Sequence, residues 1–223
     1  MNQLRMTRRF RMTCLFIAGA ILSGCMRDKI REKGTTPSGR ADYPRVALEV
    51  RCDGETWGNL VFELDRAKAP ITTDNFLRYV NEGYYDGTII HRVTTGPRIH
   101  VLQGGGYTAL NAKSKPGQHE PIQNEAKNGL KNLRATIAMA RDAAPHTATS
   151  EFFVNLKDNP SLDYPGRDGW GYCVFGKLVD GEDVLNRIAA IETRVNPDPE
   201  LRGEKSQPIN PPVVYKASIR PSH

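Results

Sequence analysis

The chain has 223 residues, 39% hydrophobic and 25% charged, which is the balance of an ordinary globular protein. That length allows one domain of moderate size plus extensions. The formal net charge is +6, but Arg5, Arg8, Arg9 and Arg11 fall in the first 24 residues, which hold no Asp or Glu. Setting those four aside leaves 27 basic against 25 acidic side chains. The remainder is close to neutral, which argues against a nucleic-acid partner.

The opening MNQLRMTRRFRMTCLFIAGAILSGC reads as an export signal, with a basic start, an apolar run from Cys14 to Leu22, and then small residues. The apolar run is too short to span a bilayer comfortably as a helix. A cleaved secretory signal accounts for these features. The tetrapeptide Leu22-Ser23-Gly24-Cys25 also resembles the lipobox of bacterial lipoproteins. That resemblance implies a signal peptide over residues 1–24 and lipidation of Cys25. We prefer it because Cys25 stands where cleavage should occur. The protein is then expected to be exported and held by lipid on a bacterial membrane, facing the periplasm or the cell exterior, without spanning it. Residues 25–44 are charged, carry turn residues and hold few apolar side chains, as a flexible tether does. Some eighteen such residues reach roughly 20–25 Å.

The folded domain is expected over residues 45–223. Val46, Leu48, Val50 and Cys52 alternate with Ala47, Glu49 and Arg51 at strand period, and Asp53-Gly54 marks a turn. Leu60, Phe62 and Leu64 form a second alternating run. Phe76, Leu77 and Val80 have helical spacing, with Thr72 or Thr73 as the expected cap and Gly83 as the stop. Strand-like pieces follow at Ile89–Val93, Ile99–Gln103, Thr136–Ala140, Phe152–Asn155 and Val174–Val179. A second helix fits Glu182–Ile191, with Asp180 as its possible cap. Val213, Tyr215, Ala217 and Ile219 alternate as a closing strand. Many short strands and two helices indicate a β-barrel or sandwich. Of four cysteines, Cys14 leaves with the signal and Cys25 carries lipid. An exported compartment permits a Cys52–Cys173 disulfide, but two small buried hydrophobic side chains is the reading we favour. The five histidines lack metal-ligand spacing and the cysteines form no C-x-x-C pair, so no metal and no cofactor are expected.

Within HRVTTGPRIHVLQGGG, His91 to Gly106, an apolar stretch carries Arg92 and Gln103 and stops on three glycines. An Arg in such a pattern needs a partner or a ligand, and glycines let backbone approach something closely. This stretch, with NFLRYVNEGYYDGTIIHRV, IQNEAKNGLKNLRATIAMAR, TATSEFFVNL and GYCVFGKLVDGEDVLNRI, resembles the cyclophilin family of peptidyl-prolyl cis/trans isomerases, over roughly Val46 to Ile219. The resemblance implies a mainly β fold, an eight-stranded antiparallel barrel capped by two helices with a groove on its outer wall. It implies catalysis by Arg92, with Gln103 gripping the substrate carbonyl. Phe153 matches the floor of a proline pocket and Leu162 its aliphatic wall, and Tyr172 falls where many members have His, although Tyr is common in bacterial ones. Ala140 and Arg141 match the segment that pairs with the bound peptide. The implied partners are Pro-containing polypeptides, and a monomer is expected.

The chain departs from the family pattern in three places. Ten residues separate Arg92 from Gln103 where the family usually has seven. Counting back from Gln103, His100 then takes the place of the pocket Phe and Val101 that of its Met. Three readings stay open: a bulge that restores another side chain, such as Ile99, to the pocket; a neutral His100 packed there as a flat ring; or a His100 that charges near pH 6 and weakens proline binding. Glu151 replaces the usual Gln, where it either orients Arg92 or ties it up. Ser161 stands where cyclosporin-sensitive members have Trp, so weak cyclosporin binding is expected. The expected function is isomerisation of X–Pro bonds during folding of exported proteins. The alternative is a catalytically weak module that binds Pro-containing segments as a chaperone or scaffold.

Overall fold

A computed structural model describes residues 43–110, 112–201 and 203–221. The signal segment, Cys25 and most of the tether lie outside the described residues. The strands are β1 (Arg45–Cys52), β2 (Glu55–Leu64), β3 (Thr88–Thr94), β4 (Val101–Gly104), β5 (Thr136–Met139), β6 (Phe152–Asn155), β7 (Val174–Asp180), β8 (Thr193–Val195), β9 (Lys205–Pro208) and β10 (Val213–Arg220). Eight of them close a barrel in the order β1-β10-β3-β4-β6-β5-β7-β2, every neighbouring pair antiparallel. Closure leaves the eight strands without an open edge. Strands β8 and β9 form a separate two-stranded ribbon.

The period-2 pattern of the sequence is the reason the barrel has an inside. Val46, Leu48, Val50, Leu60, Phe62 and Leu64 are buried in one core with Leu102, Ile137, Phe152, Val154 and Phe175. Asp53 and Gly54 both take positive φ at the β1–β2 turn, as a two-residue hairpin of matching twist requires. Helix α1 (Pro70–Asn81) places Phe76 against Tyr85, Phe152 and Phe175, with ring centroids 5.0, 5.7 and 5.2 Å away. Helix α2 (Glu182–Ala189) buries Val184, Leu185 and Ile188.

Both expected caps are corrected. Helix α1 begins with Pro70 after Ala69, and Thr72 and Thr73 lie buried within its first turn. The free N–H groups at its start are satisfied from far along the chain instead. Ile71 N and Thr72 N donate to the Glu125 carboxylate at 3.1 and 2.7 Å, and Thr72 Oγ1 donates to it at 2.7 Å. Helix α2 is preceded by Gly181 in the left-handed region, and the Asp180 carboxylate accepts the Gly181 N–H rather than capping the helix. It also ends at Ala189, two residues short of the expected Ile191. The β8–β9 ribbon was not expected, since its short polar and Pro-containing strands show no apolar alternation. Cys52 and Cys173 are free and buried. Burial raises both thiols, Cys173 to about 12, so each behaves as a small apolar filler.

Candidate active site

Alternation along the strands also creates an outer face, and the site is built there. Cross-strand pairing sets Arg92 of β3 opposite Gln103 of β4, Gln103 opposite Phe153 of β6, and Phe153 opposite Ala138 of β5. The four therefore form one row across four strands. Phe153, Val101, Ala138 and Val174 make a second buried apolar cluster, separate from the barrel core. Ile99, Leu130, Ala140, Leu162 and Tyr172 pack over it from loops and strand ends. Tyr172 stands edge-on to Phe153 at 5.6 Å. The adjoining groove has a volume of about 860 Å³ and is lined by Arg92, Gln103, Val101, Phe153, Leu162 and Tyr172, among others.

A chain of polar contacts orders the hydrophilic side of this groove. Arg92 Nη1 donates to Gln103 Oε1 at 3.2 Å, and Gln103 Nε2 donates to Glu151 Oε2 at 2.8 Å. The amide of Gln103 is thereby oriented, with its carbonyl toward the guanidinium and one N–H left for another acceptor. Burial raises the Glu151 carboxyl above its usual range, partly offset by the Gln103 bond. His91 Nε2 lies 3.5 Å from Glu151. Burial, helped by the Arg92 charge, lowers the His91 imidazole to about 4, so it is neutral at neutral pH. The glycines now have their reason. A Cβ on Gly106 would stand 2.5 Å from Glu151 Oε1, and one on Gly105, at φ +85°, would stand 2.9 Å from Ser150 O.

Glu151 is bonded to Gln103, which in turn accepts from Arg92. The guanidinium's direct carboxylate partner is Glu204, at the foot of the β8–β9 ribbon. Arg92 Nε donates to Glu204 Oε1 at 2.8 Å and Nη2 to Oε2 at 3.0 Å. Sequence reasoning missed this residue, because it lies 112 positions away in a polar stretch without a motif.

The readings of the long segment between Arg92 and Gln103 are now separable. Ile99 lines the groove, and His100 is not among its lining residues. Asn159 explains the placement. Its Oδ1 accepts the His100 N–H at 3.0 Å and its Nδ2 donates to the His100 carbonyl at 2.9 Å. Asn159 is itself buried and donates to Asn155 Oδ1 at 2.8 Å. The extra residues are therefore taken up over residues 95–100, between the paired Thr94 and Val101, and Ile99 rather than His100 lines the groove. Burial and Lys157 lower the His100 imidazole, against a smaller opposing effect of Gly96.

Ala140 and Arg141 both line the groove. The Ala140 N–H is already bonded to the Glu151 carbonyl at 2.9 Å. Arg141 packs over the Tyr172 ring at 4.4 Å and donates to Gly171 O at 2.9 Å and to Asp168. Burial would raise the Asp168 carboxyl, but the Gly171 N–H, Arg141 and the Trp170 N–H bring it to about 2. Residues Asn196, Pro197, Asp198, Glu200 and Leu201, between β8 and β9, form a further wall of the groove that the sequence reading did not include.

A closed antiparallel barrel with an outer apolar pocket beside a fixed guanidinium and amide defines a cyclophilin-type site. Residues 48–214 match the family model described as cyclophilin type peptidyl-prolyl cis-trans isomerase/CLD, and the chain belongs to this family. It is 45% identical over 165 residues to peptidyl-prolyl cis-trans isomerase cyp18 of Streptomyces antibioticus, covering 73% of this chain and 93% of that protein. It is 48% identical over 138 residues to peptidyl-prolyl cis-trans isomerase B of Escherichia coli, covering 61% and 81%. A crystal structure of a Cryptosporidium parvum cyclophilin type peptidyl-prolyl cis-trans isomerase superposes with a TM-score of 0.63 at 26% identity, covering 82% of this chain and all of that one. The protein is a peptidyl-prolyl cis-trans isomerase.

Proposed function

We propose that Arg92 is the electrostatic catalyst of X–Pro isomerisation, that Gln103 holds the neighbouring carbonyl, and that Phe153, Val101, Leu162 and Ile99 receive the proline ring. The barrier, about 18–20 kcal/mol, comes from amide resonance. It falls when the twisted amide, whose prolyl nitrogen regains its lone pair, is favoured over the planar one. A guanidinium N–H directed at that nitrogen does this, and each ~1.4 kcal/mol of selective stabilisation is about tenfold in rate. The observation that carries the reading is the single cross-strand row of Arg92, Gln103 and Phe153, which sets donor, grip and apolar floor side by side. A cyclophilin type relative of 26% identity has been crystallised in the presence of the dipeptide Ala-Pro, which fits a groove for Pro-containing chains.

The domain is carried on a lipidated Cys25 at a bacterial membrane and acts on Pro-containing segments of exported proteins. The support for this is the basic, apolar and small-residue order of residues 1–25, ending on the tetrapeptide Leu22 to Cys25. Two experiments test these readings. A protease-free isomerisation assay on an X–Pro peptide should show turnover that falls about a hundredfold or more in Arg92→Ala; unchanged turnover in a folded variant rejects the mechanism. Expressed in a bacterial host, the wild type should fractionate with membranes and carry acyl mass on Cys25, while Cys25→Ser should be released. Equal fractionation of both rejects the anchor.

A further inference from the structure

The β8–β9 ribbon supplies a residue that the isomerase mechanism has not used. β9 packs beside β3, the strand that carries Arg92. Glu204 sits just before β9 with its backbone fixed at both ends: its N–H donates to Leu201 O at 3.0 Å and its carbonyl accepts the Asn196 N–H at 2.8 Å. Its side chain is 26% exposed and that of Arg92 15%, so the pair is largely shielded from water. Burial opposes ionisation of Glu204, but hydrogen bonding and charge from Arg92, with smaller help from Ser206 and Arg98, hold its carboxyl below the usual range. The carboxylate is ionised at neutral pH.

The geometry of the contact matters as much as its charge. A guanidinium has five N–H donors in a rigid plane, and a bidentate carboxylate fixes both the position and the tilt of that plane. Glu204 takes Nε and Nη2, and Gln103 takes one hydrogen of Nη1. One N–H remains on each terminal nitrogen for a substrate. Arg92 is otherwise a long, flexible side chain, and a misplacement of about 1 Å at a reacting centre can cost about a hundredfold.

We propose that Glu204 is the positioning residue for Arg92, so that the β8–β9 ribbon, besides walling the groove, holds the guanidinium of the isomerase site in its working orientation. This rests on the assignment of Arg92 as the catalyst. A surface clasp would add stability alone, and an inhibitory clamp would lower turnover by occupying the guanidinium. A positioning residue instead raises turnover, and does so only through Arg92.

The test is a double-mutant cycle on the full chain, with fold and melting temperature checked for each variant. Glu204→Gln should lower kcat about tenfold with KM changed less than about twofold, and Glu204→Asp should recover most of the loss. In an Arg92→Ala background, adding Glu204→Gln should change residual turnover no further. The NMR signal of the Arg92 Nε–H should be slow to exchange in the wild type and in Glu204→Asp, and fast in Glu204→Gln. Wild-type kcat in folded Glu204→Gln, increased turnover, or losses that multiply in the double variant would each overturn the proposal. Because Arg92→Ala is measured alone as well, failure of this inference is distinguishable from failure of the Arg92 mechanism.

Discussion

The barrel interior and the groove are two faces of the same strands, and they solve different problems. Phe152 and Phe153 are neighbours in β6 and both are almost inaccessible, at 0% and 4% exposure. Phe152 faces inward and is enclosed by Phe76 and Tyr85, at 5.7 and 5.5 Å between ring centroids. Phe153 faces outward and is covered by side chains on loops and strand ends, among them Ile99, Leu162 and Tyr172. The interior is closed on every side by regular structure, so it stabilises the fold. The outer cluster is closed by loops and strand ends instead, and the groove beside it is lined by Phe153, Leu162 and Tyr172. Strand alternation thus sets adjacent residues of one tetrapeptide on two faces, one in the core and one on the groove.

Substitutions on the two faces should separate these roles. The largest effect expected is on stability. Phe152→Ala should cost about 3–5 kcal/mol in urea unfolding, because a cavity among close-packed rings cannot collapse. A loss below ~1 kcal/mol would show that the interior repacks. Next is a pH effect at the border of the two regions. His91 is held at about 4 against its ordinary 6.5. Between those values the unfolded chain binds a proton that the folded chain does not, so stability should be full above pH 6.5 and fall as the pH drops toward 4, by up to about 3 kcal/mol. His91→Gln should flatten that profile; an equally steep fall would assign the slope to other groups.

Smaller effects belong to the groove. Phe153→Ala should lower kcat/KM about ten- to a hundredfold, from loss of the apolar floor, while costing less stability than Phe152→Ala because solvent can fill the space. Equal stability losses with intact turnover would erase the distinction between the faces. Gly106→Ala should lower kcat/KM a few-fold, since its Cβ must displace the Glu151 carboxylate that orients Gln103. Between pH 6 and 8 turnover should be flat, because His91 is already neutral and His100 lies outside the groove. A rise across that range would return His100 to the pocket.

Much of this arrangement was legible in the chain. Strand alternation and the Asp53-Gly54 turn depend on neighbours a few residues apart, so β1, β2, β3, β6, β7 and β10 were readable from local pattern. Arg92, Gln103 and Phe153 stood in segments whose order and spacing resembled one family, and pairing across β3, β4 and β6 brings them into one row. Three matters depended on contacts that no local pattern records. Where the extra residues between Arg92 and Gln103 were absorbed followed from Asn159, some sixty positions on, which holds the His100 backbone and leaves Ile99 on the groove. That Glu125 caps α1 and Glu204 grips Arg92 depended on barrel closure and on the ribbon beside β3. A carboxylate in a polar loop has the same local signature whether it faces water or a half-buried guanidinium, and only the folded chain decides which charge it meets.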